Sequence, residues 1–207
     1  MHHIVVKTAA AMFLAAAIAG CGKVGDAPEA KVDSATTVTQ PTGGATYTID
    51  TSKSKVSWIG AKITKTHEGG FRKFDGTVTA DGANVTGVKV NVDAATIYTD
   101  DDNLVNHLKS PDFFNVPQFP TATFEASQFV KLDTVPGMTH MVTGNLTMHG
   151  VAHSVTFPAA IQVNGNTVTA KADFKINRKD WGIVYPGKPD DLISDDVRIL
   201  FDIVANK

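Results

Sequence analysis

The chain of 207 residues has a single cysteine, Cys21. That excludes an intrachain disulfide or a thiolate metal cluster, so the fold must stand on its apolar core. Neither charge sign is in excess: 19 basic against 21 acidic residues leave a formal net charge of −2. Nucleic-acid binding needs a basic surface, and none is indicated here. There is no His-Glu-x-x-His, no paired cysteines, no G-x-S-x-G elbow and no glycine-rich phosphate loop. Metalloprotease, serine-hydrolase and nucleotide chemistry therefore lack their usual frames. No apolar run reaches the roughly 20 residues that span a bilayer.

The longest such run, residues 8–19, has the length of a secretory h-region instead. Lys7, the only formal charge among the first 22 residues, gives it a thin basic flank. The run ends in Ile18-Ala19-Gly20-Cys21, which resembles the bacterial lipobox: a branched residue, two small residues, then the cysteine. Small residues let a signal peptidase approach the backbone, and the thiol receives the diacylglycerol. Residues 1–20 are therefore read as a lipoprotein signal, with Cys21 as the lipidation site. Its removal takes away Lys7 and brings the net charge to −3. Attachment to a membrane then rests on the acyl chains, of which more than one is needed. Gly22, rather than an acid, follows the cysteine; by analogy with known sorting, a host with two membranes would place the protein on the periplasmic face of its outer membrane.

Residues 22–44 contain no aromatic residue and few large apolar ones among Ala, Thr, Pro, Gly, Asp, Glu and Lys. The expectation is a disordered tether over 21–44, reaching about 25–30 Å root-mean-square.

Residues 45–207 read as one domain with a period of two. Val88, Val90 and Val92 alternate with Lys89, Asn91 and Asp93, and Val142, Gly144, Leu146 and Met148 with Thr143, Asn145 and Thr147. Val155, Phe157, Ala159, Ile161 and Val163 share one parity, as do Val168, Ala170, Ala172, Phe174 and Ile176, then Val197, Ile199, Phe201 and Ile203. Such half-buried strands belong to an antiparallel sheet with one dry face. Asp81-Gly82, His149-Gly150 and Asn164-Gly165 supply hairpin turns. One segment departs from alternation. Asp100-Asp101-Asp102 precedes Leu104, Val105 and Leu108 at helical spacing, with Thr99 or an Asp to cap it and Pro111 to stop it. About eight strands and one short helix predict an all-β, up-and-down antiparallel barrel. Its interior is either filled by side chains or holds one small ligand.

Several stretches together resemble the YceI-like family of lipid/polyisoprenoid-binding proteins. They are Gly70-Phe71-x-x-Phe74-x-Gly76, HLKSPDFFNVPQFPTATFEAS from His107, VTGNLTMHGVAHSVTF from Val142, INRKDWGI from Ile176 and SDDVRILFDIVA from Ser194. Each is ordinary alone; their order and spacing carry the resemblance, which spans the domain and not the tether. It implies a lipocalin-like barrel, exported, with a quinone or polyprenyl chain in an apolar tunnel for transport or storage. Trp181, where Phe is commoner, and the inserted YPGKPDD after Val184 depart from the family pattern near the mouth.

The chemistry agrees with such a ligand. Leaving an isoprenoid tail in water costs about 0.8 kcal/mol per CH₂, so it needs shielding in transit. The small inward members Gly144, Ala170 and Ala172, with Ala159, leave volume inside the barrel. The competing reading is that the helix or the Phe113–Phe119 loop plugs it. Leu146, Phe113, Phe114, Phe157, Phe174, Trp181 and Phe201 are the further candidate tunnel residues, although any one aromatic is more often core than ligand contact. Arg72 and Arg178, with Lys73, are candidates for a polar head group; Arg178 could instead pair with Asp180, Asp195 or Asp196. No cofactor beyond a bound isoprenoid lipid is expected, and a homodimer is compatible with the sequence without being specified by it.

Two other classes compete with the carrier. His107, His149 and His153 are raw material for a metal-dependent hydrolase, but His149 sits in a hairpin turn, so it and His153 straddle that turn rather than converge. The expectation is therefore no enzyme and no metal. A structural surface lipoprotein without ligand is the third class.

Overall fold

The computed structural model describes residues 23–207; Cys21 and the signal segment lie outside the described residues. The strands are β1 (Lys31–Ser34), β2 (Ala45–Ile49), β3 (Lys55–Lys62), β4 (Lys65–Phe71), β5 (Phe74–Asp81), β6 (Asn84–Asp93) and β7 (Ile97–Thr99). After helix α1 (Asp102–Lys109) come β8 (Thr121–Lys131), β9 (His140–Met148), β10 (Val151–Asn164) and β11 (Thr167–Asn177). The short pair β12 (Gly187–Lys188) and β13 (Asp191–Leu192) leads into β14 (Asp196–Asn206).

These strands form a closed barrel of eight antiparallel staves. Three staves are broken in the middle: β2 continues into β3, β4 into β5 and β6 into β7. The other five are β8, β9, β10, β11 and β14. Each pairs with its neighbour in sequence, as expected of an up-and-down barrel. Closure falls to β14, which pairs along β11 on one edge and with β2 and β3 on the other (Ala205↔Ile49, Ile199↔Trp58). Where β2 breaks before β3, the buried Ser54 bridges the gap. Its Oγ accepts from the Val204 N–H at 2.9 Å and donates to the Val204 carbonyl at 3.2 Å. A side chain thus replaces the lost ladder bonds, as a buried backbone group requires.

The alternating apolar residues face inward, with Val155, Val168, Phe174 and Ala205 at 1 % exposure or less. The β9–β10 hairpin turns on His149 and Gly150, both at positive φ (51° and 75°), which a two-residue turn matched to strand twist requires. Helix α1 begins where the acidic run predicts. Asp101 is its cap, accepting from the Asn103 N–H at 3.0 Å.

The expected tether is corrected over its described part. Val24 is buried, and β1 pairs with β10 from Lys31↔Thr156 to Ser34↔His153. β10 and β11 pair only as far as Ala159↔Ala172 and then splay towards the α1 end. The N-terminal segment fills that seam: Ala30 N–H donates to the Lys175 carbonyl at 2.9 Å, and Lys175 N–H to the Pro28 carbonyl at 2.8 Å. Further on, Asn145 exchanges two hydrogen bonds with the Thr36 backbone. Composition suggested disorder because the segment has little to bury. Its order comes instead from backbone groups of the seam that need partners.

Candidate functional site

One end of the barrel is built by α1, the 110–120 loop, the β3–β4 hairpin and the segment between β11 and β14. Beneath them lies a cavity of about 550 Å³. Val56, Trp58, Val90, Val92, Ile176, Val197 and Ile199 form its walls from the staves. Leu104, His107 and Leu108 of α1, with Phe113, Phe114, Ile183, Tyr185 and Ile193, cover it. A second small core of Trp58, Ile97, Leu108, Phe113 and Ile183 fastens this cover to the barrel. The helix therefore roofs the interior and does not plug it. Gly69 makes room for the wall: a Cβ there would overlap the Tyr98 carbonyl and the Trp58 ring. Trp58 Nε1 is, among the described residues, the buried side-chain donor left without a partner.

The opening is mixed in character. Ile63, Val184 and Leu192 are large apolar residues exposed at this end, and the Ile63 N–H bonds the Leu192 carbonyl at 3.0 Å. Lys62 and Asp191 pair across it at 2.5 Å. That hydrogen bond is the main cause holding the Asp191 carboxyl below its ordinary range. At Asp100 partial burial works to raise the pKa, but hydrogen bonds from His67 and Thr99 outweigh it and hold the carboxyl far below its usual value. The opening thus carries fixed charges around an apolar interior, the arrangement of a site that takes an apolar body and leaves a polar end at the surface.

Of the residues expected to line the tunnel, Phe113, Phe114, Leu146 and Phe201 do so. Phe157, Ala170 and Ala172 line a separate void of about 60 Å³, deeper in the barrel. Phe174, 1 % exposed, stacks on Phe157 with ring centroids 4.0 Å apart. Gly144 packs against Ala126 of the neighbouring strand, where a Cβ would stand 2.6 Å from that of Ala126. Trp181 is fully buried outside the cavity, its indole N–H donating to the Leu146 carbonyl at 3.0 Å. Parity placed the strand residues among them, Phe157, Phe174 and Phe201, inward but said nothing about depth.

The head-group candidates are corrected more sharply. The Arg72 guanidinium lies 4.6 Å from the Tyr98 ring centroid, away from the cavity lining. Arg178 borders the cavity but is 3 % exposed, and its donors are committed. Nε goes to the Ser194 carbonyl at 3.0 Å, Nη1 to the Ile183 carbonyl at 2.6 Å and Nη2 to Asp195 at 3.4 Å. Burial pushes its pKa down, with Asp195 opposing. Its role is to hold the cover segment to β11. Lys188, which the short β12–β13 pair of the inserted stretch brings to the opening, was missed in the sequence because no alternation or motif marks that pair.

The three histidines stand apart in function. His107 Nε2 meets Asp112 at 2.9 Å, His149 Nδ1 the Trp181 carbonyl at 3.0 Å, and His153 the Asp33 and Asp180 carbonyls at 3.2 and 3.0 Å. They brace turns and the N-terminal segment. Among the described residues, no three His, Cys, Asp or Glu side chains are grouped to hold a metal.

A closed antiparallel barrel around an apolar, roofed cavity is the architecture of the lipocalin-like barrels. Residues 47–205 match the YceI-like domain, and the chain belongs to that family. Protein YceI of Salmonella arizonae and that of Salmonella newport are each 37 % identical over 123 residues, covering 56 % of this chain. The chain spans about three fifths (62 %) of the length of these curated relatives. Among solved structures, Burkholderia cenocepacia BcnA superposes with a TM-score of 0.64 at 28 % identity, covering 76 % of this chain and 99 % of BcnA. A polyisoprenoid binding domain from Saccharophagus degradans has the same fold, with a TM-score of 0.61 at 16 % identity over 77 % of this chain and 97 % of that one.

Proposed function

We propose that this protein holds an isoprenoid-type lipid, a quinone or polyprenyl chain, in the cavity beneath α1, and carries or stores it in the periplasm. The observation that carries the reading is a preformed apolar chamber of about 550 Å³ with its opening on one end of a closed barrel. Chambers of this size suit small-molecule ligands. Exposed Ile63, Val184 and Leu192 at the opening support exchange with an apolar surface. The unpaired Trp58 N–H in the wall suits a ligand bearing an oxygen acceptor. Purified protein extracted with organic solvent and analysed by mass spectrometry should yield a long-tailed isoprenoid at a substantial fraction of one per chain. Repeated empty preparations that also refuse added quinone or polyprenol would favour a scaffold.

Anchoring belongs to the same proposal. Cys21 is the sole acceptor thiol, so Cys21→Ser should abolish labelling by a fatty-acid probe and leave the precursor unprocessed. Equal labelling of the variant would remove the anchor, and with it the outer-membrane assignment.

A further inference from the structure

The cavity has a floor. Phe124 of β8, Phe157 of β10, Phe174 of β11 and Phe201 of β14 meet at one level inside the barrel. Phe157 and Phe174 stack at 4.0 Å; Phe124 lies 5.6 Å from Phe157 and 6.1 Å from Phe201; Phe174 lies 5.9 Å from Phe201, all centroid to centroid. Phe124 and Phe201 face both ways, bordering the large cavity above and the void of about 60 Å³ below. That void is bordered by the small residues Ala159, Ala170 and Ala172 on β10 and β11, where Ala159 stands opposite Ala172 and Ala170 opposite Ile161. The apolar interior therefore continues past the rings, but the rings interrupt it.

We propose that this four-ring floor limits the length of chain the barrel encloses to about four isoprene units. The proposal rests on the lipid-binding reading above and adds the size of the ligand. An apolar cavity of about 150 Å³ takes one benzene ring, or about 25 Å³ per carbon. On that scale the 550 Å³ chamber holds about 22 carbons, whereas a nine-unit chain of 45 carbons needs about 1,100 Å³. The void below, about 60 Å³, adds room for only two or three carbons even if the floor yields. A longer chain leaves its remainder outside, in water or in a bilayer, so the extra carbons add nothing to binding. Phe201 is the residue to change. Removing its ring frees room for six carbons and joins the chamber to the void, which together lengthen the tunnel by one to two units.

The test measures affinity for polyprenols of two, three, four, five, six and nine units with the wild-type protein, Phe201→Ala and Phe201→Leu, each checked by thermal melting. Wild-type affinity should rise tenfold or more per unit while carbons are still being buried, then level off at about four units. Phe201→Ala should move the plateau to five or six units. Phe201→Leu, which keeps more of the packing, should move it by no more than one unit and guards against misfolding of the first variant. Wild-type affinity that climbs through nine units, or a plateau unmoved in the folded variants, would overturn the length limit while leaving lipid binding intact. No binding at any length would overturn the lipid-binding reading and the limit with it.

Discussion

Ala172 illustrates how much a single inward residue depends on its level in the barrel. By parity it belongs with Phe174 and Ile176, and it is 7 % exposed. It faces the void of about 60 Å³ and not the chamber under α1. A phenyl ring needs about 150 Å³ in an apolar interior, more than the void offers. Ala172→Phe therefore overpacks, and we expect it to lower stability by about 1–3 kcal/mol. Lipid content should be retained, because the ring would grow on the far side of the floor. Denaturant titration with lipid quantification checks both halves. Stability unchanged with lipid lost would mean that the ligand reaches below Phe201 after all. Arg178 teaches the complementary lesson about charge. A lone arginine near a tunnel mouth reads as a head-group cation until the carbonyls of Ser194 and Ile183 are seen to occupy it.

Among the elements, the N-terminal segment is the one composition misjudged. β1 has a single valine in Lys31–Ser34, packed at the edge of the core, so burial alone did not recruit it. Its place is set by the splay of β10 from β11 beyond Ala159↔Ala172, which leaves strand edges open beside the chamber. Open edges are costly in any sheet and are covered where possible. A chain beginning at Ala45 loses β1, the Pro28–Ala30 contacts with Lys175 and the buried Val24. The net worth of each hydrogen bond is modest, so the expected loss is about 2 kcal/mol. For a chain this size that means a melting point lower by about 4–8 °C. Equal melting of the two forms would mean that the segment detaches readily in solution. Helix α1 shows the opposite case: acidic run, apolar spacing and Pro111 were all legible, and Asp101 caps it as such runs do.

At the scale of the molecule, β14 ties the barrel together, so ligand in the chamber should stabilise the whole fold and not one wall. A ligand at 100 times its Kd adds about 2.7 kcal/mol. Its addition should therefore raise the melting point by about 5–11 °C in a single cooperative transition. A four-unit polyprenol added in detergent-free buffer is the probe, and a scaffold would show no shift.

The sequence by itself determined the inward-outward alternation, the helix, the His149-Gly150 turn and the family. The family rests on the order and spacing of stretches along the whole domain; the others depend on neighbours within a few residues, where a period of two or a turn's φ values leave little choice. Only the tertiary structure decided that the volume left by Ala159, Ala170 and Ala172 lies below a floor of four phenylalanines. It alone placed the chamber between that floor and α1 and sewed residues 28–34 into the wall. Alternation records which face of a strand a side chain occupies. It does not record how far along the barrel axis residues from different staves meet, because that depends on strand stagger and splay, properties of the closed sheet and of no single segment.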